Sequence, residues 1–353
     1  QVVQIINKKT KKNFAAKIIQ REFCDSIEQY NNVVDNELKV MLLSKHPTII
    51  KFVGFSMKDF NGQNNFTIIM QYAANKSLSN FLDKVRNYGV NFTNTNKQII
   101  LTGVARGMKY LHDRNIIHFD LKPGNILLDK NHHPLISDFG LVDCFSAGKS
   151  MSQRDNIGTY RYMAPEMLSD KETNRKADVY SFGIVMFEVL THEKPFPEMS
   201  IGEVIDEVIQ NNIRPKTKKQ IKDPFMKLID QCLSAKIDDR PTFTEIFKKL
   251  STDKNYLLDN VDKSEFNSYV HEITEIDEPI DELNLKLESA EILNKTITDE
   301  NEHLKAEIEN FKKDFKQISK DNELLKNEIS DFKNYLIQIC KDNELFKMQI
   351  DQL

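Results

Sequence analysis

From Leu283 to Leu353 the chain counts in fours and threes. Leu304, Ile308, Phe311, Phe315, Ile318, Asn322, Leu325, Ile329, Phe332, Leu336, Ile339, Asn343, Phe346, Ile350 and Leu353 keep that alternation without error. It extends back through Asn301, Ile297, Asn294, Ala290 and Leu287 to Leu283. The run is about ten heptads, where three or four already specify a coiled coil. At 1.5 Å per residue such a helix reaches roughly 105 Å, too long to pack as a single helix on one domain. A step of three precedes each d residue, so Leu304, Phe311, Ile318, Leu325, Phe332 and Ile339 take d, and Ile308, Phe315, Ile329 and Leu336 take a. Asn294, Asn301, Asn322 and Asn343 then all fall at a. Buried asparagine at a pairs with its mate only in a parallel, in-register dimer, whereas the core phenylalanines favour other stoichiometries. The expectation is a parallel two-stranded coiled coil that makes the chain a homodimer.

Composition divides the rest. All 11 glycines lie before Glu203, and no proline follows Pro279. Residues 1–252 therefore read as globular, with a β-rich part at 1–75 and a helical part at 76–252. Residues 253–282 read as an acidic linker, and 283–353 as the coiled coil. Gln1–Asn7, Asn13–Ile19 and Phe66–Tyr72 are strand-like runs, and Asn36–Ser44 has helical spacing with Leu38, Met41 and Leu42 on one face. Helices are expected at Ile99–His112, Val179–Leu190 and Phe225–Ala235. Two short strands, Ile126–Leu128 and Leu135–Ser137, flank a turn at Asn131–His133. A small β-rich lobe ahead of a larger helical one implies a cleft between them, a common place for a nucleotide.

The 49 Lys+Arg against 53 Asp+Glu leave a formal charge of −4, which favours neither nucleic acid nor anionic lipid as a partner. The longest apolar run, Phe182–Leu190, is broken by Glu188 and falls short of a membrane span. Cys24, Cys144, Cys232 and Cys340 show neither metal spacing nor a disulfide framework, so they read as free thiols in a reducing, cytoplasmic setting.

Four short motifs follow in order: Ala15-Ala16-Lys17 on a strand, His118-Phe119-Asp120-Leu121-Lys122-Pro123-Gly124-Asn125, Asp138-Phe139-Gly140, and Ala164-Pro165-Glu166. With Gly158–Met163, Asp178–Gly183 and Arg240-Pro241-Thr242-Phe243, this set resembles the eukaryotic protein kinases, and the last motif the tyrosine kinase-like group of serine/threonine kinases. The resemblance covers about 250 residues. Singly, each element has a bland reading: a strand lysine is ordinarily a solvated surface group, an isolated Asp-Phe-Gly a turn, and His132-His133 a solvated loop. Those readings fail jointly, because they would have to produce every position at once.

The resemblance implies an α+β bilobal kinase fold, a small β-rich N-lobe lacking its first strand and a larger helical C-lobe, followed by the coiled-coil helix. It implies ATP and Mg²⁺ as cofactors and Ser/Thr-bearing proteins as substrates. Asp120 is expected to accept the proton of the attacking hydroxyl, and Lys122, the serine/threonine variant of this loop, to meet the charge on the transferred group. Asn125 and Asp138 are expected to hold Mg²⁺. Lys17 is expected to hold the nucleotide phosphates, oriented by Glu37, 20 residues downstream. Met70 falls at the gatekeeper position, Gln71, Tyr72 and Ala73 at the hinge, and Val2, Ala15 and Leu127 at the residues that sandwich adenine. His118, Glu166, Asp178 and Arg240 are architectural. Ser146, Ser150, Ser152 and Thr159 are candidate activation-loop acceptors, although the Thr159 hydroxyl is better suited to holding Lys122 and Asp120 in place.

Two departures from the family pattern matter. Val2 matches the valine after the third glycine of the glycine-rich loop, so that loop lies upstream of this chain and weak turnover is expected of residues 1–353 alone. Phe119 replaces the arginine that pairs with a phosphorylated activation loop, and a phenylalanine cannot make that pair. The rival reading from another class is a pseudokinase scaffold that uses the same fold and the coiled coil for assembly.

A peptide spanning 282–353 should sediment at the mass of two chains at tens of micromolar. A monomer, or a trimer that survives Asn322→Leu unchanged, contradicts the assignment of asparagine to a.

Overall fold

In a computed structural model the described residues are 1–24, 26–140, 159–169, 173–275, 304–334 and 337–339. They fall into two compact units, Gln1–Pro279 and Ile280–Leu353.

The first unit opens with a four-stranded antiparallel sheet of order β1-β2-β4-β3, built from β1 (Val2–Ile6), β2 (Asn13–Ile18), β3 (Phe52–Ser56) and β4 (Thr67–Gln71). Strand β3 escapes sequence reading because Gly54 interrupts its apolar run and its pairing with β4 shifts between Phe52 and Gly54. Helix α1 (Ile27–Leu43) starts well before the expected Asn36, at a Ser26 cap that accepts from the Gln29 amide. Its polar first half hides the inward face, on which Val34, Glu37 and Met41 are buried.

The larger lobe runs through α2 (Leu78–Tyr88) and α3 (Asn94–Asp113), then the hairpin β5 (Ile126–Leu128) and β6 (Pro134–Ile136). A short turn of 3₁₀ helix at Pro123–Asn125 leads into β5. After the short α4 (Pro165–Leu168) comes α5 (Lys176–Thr191), which is buried almost all round and forms the centre of the lobe. Around it lie α6 (Ile201–Gln210), α7 (Asp223–Cys232), α8 (Phe243–Thr252) and α9 (Lys263–Thr274).

Helix α9 corrects the reading of 253–282 as a linker. Phe266, Tyr269 and Ile273 recur at helical spacing on one face and form a buried cluster with Ile99 of α3. The acidic residues of the helix itself, Glu265 and Glu272, are exposed. Close approach is possible because position 103 is glycine: a Cβ there would lie 2.0 Å from the Tyr269 hydroxyl and 2.6 Å from Pro134 Cγ. In the second unit residues 304–334 are helical, and Leu304, Ile308, Phe311, Phe315, Ile318, Leu325, Ile329 and Phe332 lie exposed along it. Leu283–Asn301, Leu336 and Asn343 fall outside the described residues.

Gly103→Ala should lower the thermal midpoint by forcing α9 away from α3, by about 1–3 kcal/mol for such overpacking. Tyr269→Phe, which removes a buried hydroxyl without a partner, should cost little alone and recover part of the Gly103→Ala loss. A midpoint unmoved by Gly103→Ala rules out the close packing.

Candidate active site

Lys17 stands in β2, where the register sets Val2 of β1 opposite it and Ala15 opposite Met70 of β4. Opposed residues of an antiparallel pair share a face, as do residues two apart, so these four side chains project from one side of the sheet. From there the Lys17 ammonium donates to both carboxylate oxygens of Glu37 on α1, at 2.7 and 2.6 Å, and to Oδ1 of Asp138 at 2.8 Å. Burial works against the Lys17 charge, but Glu37 and Asp138 outweigh it and raise its pKa. Burial pushes the Glu37 carboxyl up against the pull of Lys17. Burial also opposes ionisation of Asp138, yet the ammonium beside it holds that carboxyl below the usual range.

A second cluster forms on the loop after α3. Both oxygens of the buried Asp120 accept from Lys122 Nζ, at 3.0 and 2.8 Å, and Oδ2 accepts from Asn125 Nδ2 at 2.8 Å. Lys122 also donates to the Thr159 hydroxyl at 2.6 Å, which ties this loop to the 3₁₀ turn Thr159–Tyr162. Thr159 is buried. The Asn125 amide nitrogen also donates to the Asp120 carbonyl at 2.8 Å, which leaves the amide oxygen as its acceptor end. That oxygen and the Asp138 carboxylate are hard donors of the kind Mg²⁺ takes, with phosphate and water completing the shell. Among the described residues no group of three or more His, Cys, Asp or Glu gathers elsewhere to hold a metal.

The loop carrying Asp120 is strained and held. Phe119 (φ 60°) and Asp138 (φ 68°) both occupy the left-handed region, costly for any residue with a Cβ. The fully buried Asp178 of α5 accepts from the amides of His118 at 2.9 Å and Phe119 at 2.8 Å, and pairs with His112 Nε2 at 2.9 Å. His118 is committed at both nitrogens. Its Nε2 donates to the Ser137 carbonyl at 3.1 Å, and its Nδ1 accepts from the Asp120 amide at 3.2 Å, so the ring is a strut between the Asp120 loop and the segment entering Asp138. The Arg240 guanidinium forks onto buried Glu166 at 2.6 and 2.9 Å.

Gln71, Tyr72 and Ala73 follow Met70 out of β4 toward α2, and Leu127 lies in β5, bridged to Ser77. Ser146, Ser150 and Ser152 fall outside the described residues. Sequence reasoning passed over Glu188, which accepts from Arg86 Nη1 at 3.0 Å and from the Tyr162 hydroxyl at 2.6 Å. The available signal was a single carboxylate inside the otherwise apolar run Phe182–Leu190.

The protein kinase domain model matches residues 1–250. The chain belongs to the protein kinase family. This kinase is 33% identical over 228 residues to the probable serine/threonine-protein kinase drkC of Dictyostelium discoideum, an alignment covering 63% of this chain and 29% of that protein. It is 34% identical over 210 residues to the serine/threonine/tyrosine-protein kinase HT1 of Arabidopsis thaliana, covering 59% of this chain and 52% of that one. With the serine/threonine-protein kinase STY17 of the same plant it shares 32% over 215 residues, 61% and 36% of the two chains. The aligned part thus spans about half or less of these relatives' own lengths.

Asp178→Asn turns one acceptor oxygen into an amide that faces a donor. It should cost about 1–3 kcal/mol, read as a lower urea midpoint. An unchanged midpoint rejects the anchoring role.

Proposed function

We propose that this kinase transfers the γ-phosphoryl group of Mg-ATP to serine or threonine hydroxyls of protein substrates in cytoplasmic signalling. The observation that carries the reading is the pair of connected clusters: Lys17 held between Glu37 and Asp138, and Asp120 held by Lys122 and Asn125. Mg-ATP, when bound, supplies the electrophilic phosphoryl group and the metal's charge. Asp120 orients the substrate hydroxyl and receives its proton, while Lys122, bonded to it, sits where negative charge develops. Lys17 holds the α- and β-phosphates, and Glu37 keeps its ammonium in place. Asp138 and Asn125 hold the metal. Val2, Ala15 and Leu127 enclose the adenine, with Met70 behind it and the backbone of Gln71, Tyr72 and Ala73 along its edge. The complete set of these residues weighs against a catalytically silent scaffold.

Phe119 leaves a phosphorylated activation loop without a cation at this position, so loop phosphorylation is not an obligatory switch. The exposed apolar stripe on residues 304–334 supports the homodimeric coiled coil, which raises the local concentration of each kinase domain for the other.

In a chain that includes the glycine-rich loop, Mg²⁺-dependent transfer to a Ser/Thr acceptor should be lost in Asp138→Ala and fall by several orders of magnitude in Asp120→Asn. Equal transfer by wild type and Asp120→Asn overturns the catalytic assignment. Phosphatase treatment should leave the rate within about tenfold, since no arginine reads the loop phosphate. A larger loss, restored by rephosphorylation at Ser146, Ser150 or Ser152, overturns the account of Phe119.

A further inference from the structure

A cleft of about 330 Å³ opens beside Lys122 and Thr159, and its walls carry an excess of positive charge. Arg86 enters from α2, Arg161 from the turn Thr159–Tyr162 and Lys194 from the segment after α5, against one carboxylate among the described lining residues, Glu188. That carboxylate is not open to a visitor. Glu188 is 2% exposed, with Oε1 accepting from Arg86 and Oε2 from Tyr162. A buried carboxylate with both oxygens engaged cannot reach out to a basic side chain without breaking those bonds.

The cations are not equally satisfied. Arg86 is neutralised by Glu188 and by Asp83 at 2.8 Å. Arg161 donates to the carbonyl oxygens of Pro195, Phe196 and Met199. Carbonyls satisfy its N–H groups but not its charge, and among the described residues no carboxylate pairs with it. Lys194 is 61% exposed and stands a loose 3.6 Å from Asp83, able to swing to another anion. The unbalanced charge therefore sits one residue contact from Asp120, because Lys122 both lines the cleft and bonds that aspartate.

We infer that this cleft selects protein substrates carrying an acidic side chain, a carboxylate or a phosphate ester, close to the accepting hydroxyl, with Lys194 as the residue that reads it and Arg161 adding the field of a charge that no carboxylate among the described residues neutralises. The inference rests on the kinase reading, since it is proximity to Asp120 that makes the occupant a substrate. A substrate with basic flanks brings like charge to Arg161 and Lys194, and complementarity of this kind acts on specificity and encounter more than on raw affinity.

The test uses a chain that includes the glycine-rich loop and labelled peptides on one neutral scaffold, with Asp, phosphoserine, Ala or Arg beside the acceptor. Binding is measured by anisotropy on versions with Ala at the acceptor position, and phosphate transfer on versions with Ser. The aspartate peptide should bind about fivefold tighter than the alanine peptide, the phosphoserine peptide tighter still, and both advantages should shrink with added salt. Lys194→Glu, an exposed substitution that leaves the core intact, should abolish the advantage and turn it toward the arginine peptide. Arg161→Gln should reduce it as well. Equal binding of aspartate and alanine peptides, or an acidic preference that survives both variants, overturns the inference. If wild type transfers phosphate to every peptide alike, the cleft assignment fails while the kinase reading stands. If the binding preference holds and no peptide is phosphorylated even with Mg-ATP, the transferase reading fails and the occupant's role as substrate fails with it, while the acidic preference of the cleft stands.

Discussion

The site depends on one ammonium. Lys17 reaches from the sheet of the small lobe to Glu37 on α1 and to Asp138 at the edge of the large lobe, so a single cation ties three elements together. Three charges of one sign pattern, one positive against two negative, leave the cluster with an excess negative charge. In a partly desolvated place that excess is costly unless a further cation enters, which is the electrostatic condition for recruiting Mg²⁺ along with a polyanion. Glu37, whose ionisation burial opposes, is held by both of its oxygens on the Lys17 ammonium.

Rigidity comes from the opposite quarter. Helix α5 is buried nearly all round, and Asp178 in its first turn holds the amides of His118 and Phe119. Phe119 needs holding: a bulky residue at φ 60° returns to extended backbone unless its surroundings over-determine it. The same turn aims Asp120 toward Lys122 and Asn125. Strain at residue 119 and precision at residue 120 are thus one arrangement, stabilised by a carboxylate that no solvent reaches.

Much of this was legible. The family resemblance of the motifs singled out Lys17, Glu37, Asp120, Asn125 and Asp138, which the structure gathers into two clusters, and β5 was bounded correctly because Asn125 and Asp129 punctuate it. What stayed hidden has physical causes. Strand β3 carries a glycine and a register shift, which erase alternation. The start of α1 lies in a polar stretch whose inward residues are spaced too widely to stand out without knowing what they pack on. Helix α9 was taken for linker because net acidity is a property of its outer face, while three apolar residues on the inner face decide its fate. Glu188 was seen only as a blemish in an apolar run, since its partners Arg86 and Tyr162 are remote in sequence. Tertiary partners of buried polar groups are the information a single sequence carries least directly.

The tail bears on how such a site is controlled. Phe311 and Phe315 are 72% and 75% exposed, and an apolar stripe of that length in water gains by pairing at roughly 25 cal/mol per Å² covered. In the proposed coiled coil, Asn322 at a would favour the parallel, in-register pairing that sets a second asparagine across the seam. In the proposed homodimer, where activation does not pass through a loop phosphate read by residue 119, assembly would be the control that the heptads supply. Joining two kinase domains through one helix pair converts a bimolecular encounter into an intramolecular one, so output follows the fraction assembled. That control asks nothing of the strained loop around Asp120, which can stay in one conformation throughout.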